Sequence, residues 1–210
     1  MRFLSYLPPW LDPILPPDLD RRPKIFGIGF HKTGTTSLGR ALRALGFRVH
    51  KGFSINMPGK RVRIPEPVTL AKIENVALPM VRYYSAFEDN PWPLLYSELD
   101  RRWPGSRFIL TTRDPERWYR SAARFHEGRH SPMLDFIYGQ RDLKVAQSKE
   151  LCVRRFNAHN EQVKEYFKDR PNDLLCWDLE AEPNWNKLCT FLNVPVPARA
   201  FPHGKRQASS

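Results

Sequence analysis

The chain has 210 residues, of which 41% are hydrophobic and 12% aromatic, enough for one domain with a real core; wholesale disorder is excluded. The sequence contains no apolar run near the roughly 20 residues that cross a bilayer, so we expect no integral membrane segment. The net charge is +12, and 23 of the 34 basic residues are arginine, the side chain suited to bidentate binding of phosphate or sulfate. Blocks of five or six like charges are absent from the sequence, which argues against a nucleic-acid partner.

The cysteines and the chain ends set further expectations. Cys152, Cys176 and Cys189 are a sparse, odd set without metal-ligand spacing, so we expect a reducing compartment, the cytoplasm, and no metal site. Residues 1–23 are rich in proline and predict an extended arm. We therefore expect one domain over 24–203 and a short tail over 204–210.

The first predicted elements form a strand, a loop, a helix and a strand. Residues 24–30 are typical of a buried strand bounded by glycine. Apolar residues follow at i, i+4 and i+7 from Leu38, which predicts a helix, and Gly46 stands where a helix C-terminal glycine belongs. Residues 47–50 predict a second strand, whereas 51–85 show no clear pattern.

The second half repeats the alternation of strands and helices. Asp114 and Pro115 predict an N-cap and the first residue of a helix. The expected elements are a short helix near 94–99, a strand over 107–112, a helix over 115–125, a long helix over 151–167, a strand over 173–177 and a helix over 183–192. This alternation predicts an α/β protein in three α/β/α layers around a central parallel sheet.

The loop between the first strand and the first helix carries the chemistry. Its glycines, Gly29 and Gly34, let the backbone wrap closely, and the helix N-terminus behind it offers N–H groups and a favourable dipole to an anion. The hydroxyls of Thr35, Thr36 and Ser37 add donors. The pattern therefore predicts a phosphate cradle.

The loop differs from that of nucleotide triphosphatases. Their pattern places lysine directly after the second glycine, where this chain has Thr35. Lys32 stands two residues before Gly34 instead, and we expect it to approach the anion from the other limb of the loop.

A lysine followed by T-G-T-T resembles the 5′-phosphosulfate loop of the sulfotransferases that use 3′-phosphoadenosine 5′-phosphosulfate (PAPS). That family also has an arginine after a strand and a serine eight positions later on the next helix, which Arg113 and Ser121 match. The segment R-D-P-E-R-W-Y-R-S is most similar to the small bacterial-type sulfotransferases. The resemblance covers residues 24–203, departs at His31 and Ser37, and implies a P-loop-like fold.

The resemblance also implies a set of site residues. The 5′-phosphosulfate would be bound by the loop and first helical turn, and the 3′-phosphate by the arginine and serine. A third contact would come from the C-terminal tail, where the family's motif is scrambled in this chain. These residues are Lys32, Thr33, Gly34, Thr35, Thr36, Ser37, Arg113, Ser121, Lys205 and Arg206. Lys32 would in addition stabilise the leaving phosphate.

The resemblance implies that the base that deprotonates the acceptor lies in the segment before the short helix, where Asp89 is the first candidate and Glu88 an alternative. His126, expected in the loop after the helix that follows the arginine, is a further alternative. A structural role for Asp89 as the N-cap of a helix beginning at Pro91 is also open.

The expected activity is thus sulfuryl transfer from PAPS, without a metal, to a hydroxyl or amine of a small-molecule or glycan acceptor; the basic surplus favours an acidic one. Two rivals stay open. A P-loop kinase or NTPase is disfavoured by Thr35, and a non-catalytic nucleotide-binding relative is kept open by His31 and Ser37.

Overall fold

A parallel sheet forms the centre of residues 22–52 and 64–203, the part of the chain that the computed structural model describes. Within it, five strands lie in the order β2-β3-β1-β4-β5, and all neighbours are parallel. The strands are β1 (Ile25–Gly27), β2 (Val49–Lys51), β3 (Ala86–Glu88), β4 (Arg107–Thr112) and β5 (Leu174–Asp178).

Helices cover both faces of the sheet. They are α1 (Thr35–Ala44), α2 (Leu70–Val81), α3 (Tyr96–Arg102), α4 (Pro115–His126), α5 (Pro132–Tyr138), α6 (Lys149–Tyr166) and α7 (Trp185–Leu192). Helices α1 and α7 pack in one apolar cluster and the other five in a second cluster on the opposite face. The predicted three-layer α/β/α fold is therefore confirmed. None of the helices in the described ranges combines the length and apolarity needed to span a bilayer.

The two-residue period of the strands divides the core between these faces. In β1, Ile25 belongs to the cluster with α1, whereas Phe26 belongs to the other. The Phe26 ring stacks on those of Phe87 and Phe108 from the neighbouring strands, at centroid distances of 5.0 and 5.4 Å. Strands buried on both faces explain why the sequence shows short continuous apolar runs rather than alternation with polar residues.

The helix ends predicted from local sequence are confirmed. Gly46 adopts a positive φ of 90° just after α1, a conformation that costs glycine little. The Asp114 carboxylate accepts the Arg117 N–H at 2.9 Å, and Pro115 is the first residue of α4. These local signals depend on neighbouring residues alone, which is why the sequence reveals them.

The structure differs from prediction where the elements are short or atypical. The stretch 51–85 contains α2, which carries Pro79 inside it. The next strand, β3, begins immediately after this stretch and has only three residues. The helix expected near 94–99 is a one-turn 3-10 helix, Trp92–Leu94, followed by α3, and α5 lies in a stretch where no element was predicted. The arm predicted over 1–23, apart from its last two residues, and the 204–210 tail lie outside the described residues.

The carboxyl edge of the sheet is the place where a ligand is expected. The chain leaves β1 for α1 on one face and leaves the adjacent β4 for α4 on the other. Connections that diverge in this way open a crevice at the strand ends, and open α/β sheets bind ligands there. The segments that begin at Lys32, Asp89 and Arg113 all start from this edge.

A buried histidine fastens α6 to this edge. His159 is 3% exposed, its ring stacks on Phe30 at a centroid distance of 4.2 Å, and its Nε2 donates to the Ile28 carbonyl at 2.8 Å. Burial lowers the pKa of His159 to about 4. The imidazole is therefore neutral at pH 7 and is part of the core.

His159 makes the fold sensitive to acid. Because its pKa is lower in the folded protein than in the unfolded chain, its contribution is complete above pH 6.5 and is lost as the pH falls toward 4. We expect the free energy of unfolding to drop over this window by about 2–3 kcal/mol from this residue. Urea unfolding of wild type and His159→Gln at pH 7 and pH 4.5 measures it, and equal pH dependence of the two proteins would contradict the assignment.

Candidate functional site

The loop after β1 is held against β4 by close backbone packing. A Cβ on Gly29 would lie 2.1 Å from the Thr111 Oγ1 and 2.3 Å from its carbonyl oxygen, so only glycine fits there. The Thr33 hydroxyl donates to the Phe30 carbonyl at 2.6 Å and shares a second 2.6 Å hydrogen bond with the Thr111 hydroxyl. The Thr33 side chain is therefore engaged in holding the loop, which leaves its backbone N–H as the group to offer an anion.

The first turn of α1 opens toward the crevice. Gly34 is the N-cap at a φ of 99°, and its carbonyl accepts the N–H groups of Ser37 and Leu38. The N–H groups of Thr35 and Thr36 belong to the first turn, which has no acceptors within the helix. Together with the helix dipole they favour an anion at this position, which is consistent with the phosphate cradle predicted for this loop.

Lys32 extends from the β1 loop toward the end of α4. It adopts a φ of 66°, is half-buried, and its Nζ lies 4.3 Å from the centroid of the Phe125 ring at the end of α4. Burial lowers the pKa of Lys32, and the nearby Arg113 guanidinium lowers it further, whereas Asp89 raises it. The ammonium is thus close enough to both groups to interact electrostatically with them.

Arg113 is the link between the loop and β4. Its Nη1 donates to the Lys32 carbonyl at 3.2 Å, while Nε and Nη2 donate to the two carboxylate oxygens of Glu180 at 2.8 and 3.1 Å. Arg117 donates to the same carboxylate at 2.8 Å. Ser121 lies one turn beyond Arg117 on α4 and is half-buried. The predicted contacts Lys205 and Arg206 lie outside the described residues.

Asp89 follows β3 in a conformation that aspartate and asparagine tolerate better than most residues. Its φ is 71°, its side chain is half-buried, and its Oδ1 accepts the N–H of Asn90 at 2.9 Å. Burial raises the pKa of Asp89. The carboxylate does not cap the turn that starts at Trp92; that turn receives only the backbone carbonyl of Asp89. The capping role considered for this residue is therefore wrong.

Glu88 faces the interior beneath α1. It is 1% exposed, and a Cβ on Gly39 would lie 2.7 Å from its Oε1. Burial raises the pKa of Glu88 to about 7, Asp89 raises it too, and a hydrogen bond with the Thr35 hydroxyl opposes both effects. Its Oε2 makes no hydrogen bond within the described part of the chain. This position under the helix suits Glu88 to supporting Thr35 rather than to contacting an acceptor.

Two histidines lie beside Lys32. His31 is buried and shares a 3.2 Å hydrogen bond between its Nε2 and the Tyr138 hydroxyl, and its ring meets that of His126 edge-on at 4.9 Å. Burial, with His126 and then Lys32, lowers the pKa of His31 to about 3; burial lowers that of His126 to about 4. Both imidazoles are neutral at pH 7. The Asn90 amide, 3.5 Å from His31 Nδ1, connects this pair to the segment that carries Asp89.

Sequence reasoning missed several members of this site. Glu180 lies 67 positions from Arg113, and Phe125 carries no motif, so only the fold brings them to the loop.

A separate cluster of His130, Asp135 and Asp142 was not expected from the sequence. Its atoms able to bind a metal lie within 4.8 Å of one another. The Asp135 carboxylate there accepts two backbone N–H groups besides bonding to His130, so these bonds account for the cluster as a brace after α5.

Comparison with known proteins agrees with this geometry. The sequence matches the model of the sulfotransferase domain over residues 24–144 and again over 126–210. It is also 26% identical over 212 aligned positions to the Ava biosynthesis cluster protein M of Aspergillus versicolor, an alignment that covers 86% of this chain and 80% of that protein. The loop motif, the arginine after β4 and the match over most of the chain point the same way. This chain belongs to the sulfotransferase domain family.

Proposed function

We propose that this protein transfers a sulfuryl group from PAPS to a hydroxyl or amine of a small-molecule acceptor. The acceptor oxygen or nitrogen attacks sulfur in line, the bond between sulfur and the bridging phosphate oxygen breaks, and adenosine 3′,5′-bisphosphate leaves. The acceptor proton passes to a base. Membership of the sulfotransferase domain family supports sulfuryl transfer in general, and the particular donor rests on the residues at the crevice.

The observation that carries the proposal is the joining of Lys32 to Arg113 across two adjacent strand ends. The guanidinium donates to the Lys32 carbonyl, so the phosphosulfate loop and the arginine that would bind a 3′-phosphate form one connected surface. A nucleotide phosphorylated at both its 5′ and 3′ positions presents two anions, and this surface offers two cationic ends. The Thr35 hydroxyl also hydrogen-bonds to Glu88. The residue after the second glycine therefore does not act as the phosphate-binding lysine does in a triphosphatase loop.

The sheet order supports a separation of the donor from the acceptor. The loop with Lys32 follows β1, Arg113 follows β4, and Asp89 follows β3, which borders β1 on the other side. A donor that spans Lys32 and Arg113 would therefore direct its sulfur toward Asp89. In this arrangement Lys32 stabilises the charge on the leaving phosphate, and Asp89, with its raised pKa, accepts the acceptor's proton.

The proposal is tested by measuring which nucleotide the protein binds and what it transfers. Calorimetry should detect binding of adenosine 3′,5′-bisphosphate without Mg²⁺ and weaker or no binding of ATP with Mg²⁺. Transfer of labelled sulfate from PAPS to a panel of hydroxyl and amine acceptors then separates an enzyme from a binding module. Preference for ATP with Mg²⁺ would replace the proposal with a kinase or NTPase, and nucleotide binding without transfer would favour a non-catalytic relative.

Replacing Lys32 by alanine should abolish transfer and leave the fold intact. The ammonium would stabilise charge that develops only at the leaving phosphate, whereas its contact with Phe125 is at the surface and contributes little to stability. Transfer rate and melting temperature are measured together. Lys187→Ala, which removes a surface lysine paired with Glu182, is the matched control. Normal transfer by the Lys32 variant would remove this residue from the mechanism.

Replacing Arg113 by alanine should weaken binding of adenosine 3′,5′-bisphosphate by about thirtyfold, equivalent to about 2 kcal/mol. The lower end of the range for buried charge pairs applies because the side chain is 20% exposed. Adenosine 5′-monophosphate lacks the 3′-phosphate, so its calorimetric affinity should change little. Equal losses for the two nucleotides would contradict the assignment of Arg113 to the 3′-phosphate.

Replacing Asp89 by asparagine should lower kcat by about 10²- to 10⁴-fold, the usual range for a general base. Asparagine tolerates the positive φ and its side-chain oxygen keeps the bond to the Asn90 N–H, so the melting temperature should stay the same. Affinity for the bisphosphate should also be retained, because Asp89 lies on the acceptor side. Undiminished turnover would move the assignment to His126, whose neutral imidazole lies beside Lys32.

A further inference from the structure

A carboxylate already occupies the arginine that would bind the donor's 3′-phosphate. Glu180, in the connection between β5 and α7, takes two donors of Arg113 in a bidentate pair, at 2.8 and 3.1 Å. The same carboxylate accepts from Arg117 at 2.8 Å. A bidentate carboxylate satisfies a guanidinium in the same planar geometry as two phosphate oxygens do, so Glu180 holds the position that an anionic ligand would take.

The backbone at Glu180 is held by hydrogen bonds, whereas its side chain is partly exposed and can rotate away from the arginines. The Asp178 carboxylate accepts the N–H groups of Glu180 and Ala181 at 2.9 and 3.1 Å, which defines the turn. Leu179 packs on the phosphosulfate loop, since a Cβ on Gly34 would lie 3.1 Å from the Leu179 Cβ. The Glu180 side chain itself is 41% exposed. Rotation of that side chain would release both arginines without rearranging the loop.

The charges favour an exchange of anions. Arg113, Arg117 and Glu180 together carry a net charge of +1, which still attracts a phosphate. A phosphate placed on the Arg113 fork would lie beside the Glu180 carboxylate and be repelled by it. Either the phosphate or the Glu180 carboxylate must therefore leave the Arg113 guanidinium. The 3′-phosphate carries more charge than the carboxylate, so it is the stronger competitor.

We infer that Glu180 is an internal competitor for the 3′-phosphate of the donor and of the bisphosphate product. It neutralises the two arginines when the crevice is empty, yields them when the nucleotide binds, and takes them back as the product leaves. This inference rests on the proposed function. It makes Glu180 a determinant of nucleotide affinity and of product release, with no part in the chemical step.

The test compares three proteins with two nucleotides. The proteins are wild type, Glu180→Gln and the matched control Glu182→Gln, which removes the same unit charge from the same connection; Glu182 pairs with Lys187 instead. Calorimetry gives the affinity of each for adenosine 3′,5′-bisphosphate and for adenosine 5′-monophosphate. Melting temperatures confirm that the variants fold, and Glu180→Ala is a second variant if glutamine disturbs the turn.

The expected result is specific to one variant and one nucleotide. Glu180→Gln should bind the bisphosphate about threefold to tenfold more tightly, the scale of a partly exposed ion pair network, and release it correspondingly more slowly in a chase experiment. Its affinity for the monophosphate should change less than twofold, and Glu182→Gln should behave as wild type.

Each other outcome overturns a stated part. Weaker bisphosphate binding by Glu180→Gln would show that Glu180 orients Arg113, and unchanged binding would show that it does not compete. Equal gains in bisphosphate affinity for Glu180→Gln and Glu182→Gln would show that the effect comes from the change in net charge alone. In all three cases wild type still binds the bisphosphate, so the proposed function survives. Failure of wild type to bind the bisphosphate would instead overturn the proposed function and this inference together.

Discussion

The contact between the β1 loop and β4 is the constraint on which the site depends. Gly29 lies directly against Thr111, and the Thr33 and Thr111 hydroxyls share a hydrogen bond. Because Thr111 stands two residues before Arg113, the contact sets the loop and the arginine in one register. The Arg113 bond to the Lys32 carbonyl then follows from backbone packing rather than from charge attraction. A side chain at position 29 would push the loop away from β4 and so separate Lys32 from Arg113.

The energetic cost of the candidate site is concentrated at the carboxyl ends of β1 and β3. Lys32 and Asp89 both adopt positive φ angles, which non-glycine residues rarely do, and Glu88 is buried with an oxygen that lacks a hydrogen bond within the described residues. His31 and His126 are held neutral by burial. Strained backbone and buried groups without partners cost free energy, and their clustering at one edge of the sheet is typical of functional sites. Because these imidazoles are neutral at pH 7, they add no positive charge beside Lys32.

The sequence predicted the β1 loop, α1 and the start of α4 because their signals are local. The glycines of the loop, the helical period after Leu38 and the Asp114 cap each depend on a few adjacent residues, and the motif spacing ordered them along the chain. The segment with Asp89 was found only through the family resemblance. Its strand has three residues, and the preceding helix carries Pro79, so periodicity had too little length to act on.

Pairings over long sequence distance lay beyond local patterns for a different reason. The Arg113–Glu180 pair joins the ends of β4 and β5, and the Lys32–Phe125 contact joins the loop to the far end of α4. Glu180 and Phe125 have no sequence signature of their own, because glutamates after strands and phenylalanines late in helices are common at solvent-exposed positions. Their meaning comes from the strand order, which places β1, β4 and β5 side by side.

The overall charge does not by itself locate an anion-binding site. The +12 surplus is spread along the chain, and many arginines form surface pairs, such as Arg170 with Asp100 and Arg107 with Asp173. Exposed pairs of this kind contribute little and select no ligand. At the crevice, by contrast, two guanidiniums share one carboxylate beside a helix N-terminus. Arg113, Arg117 and Glu180 together therefore carry an excess of one positive charge at the carboxyl edge of β4 and β5, which one more negative group would neutralise.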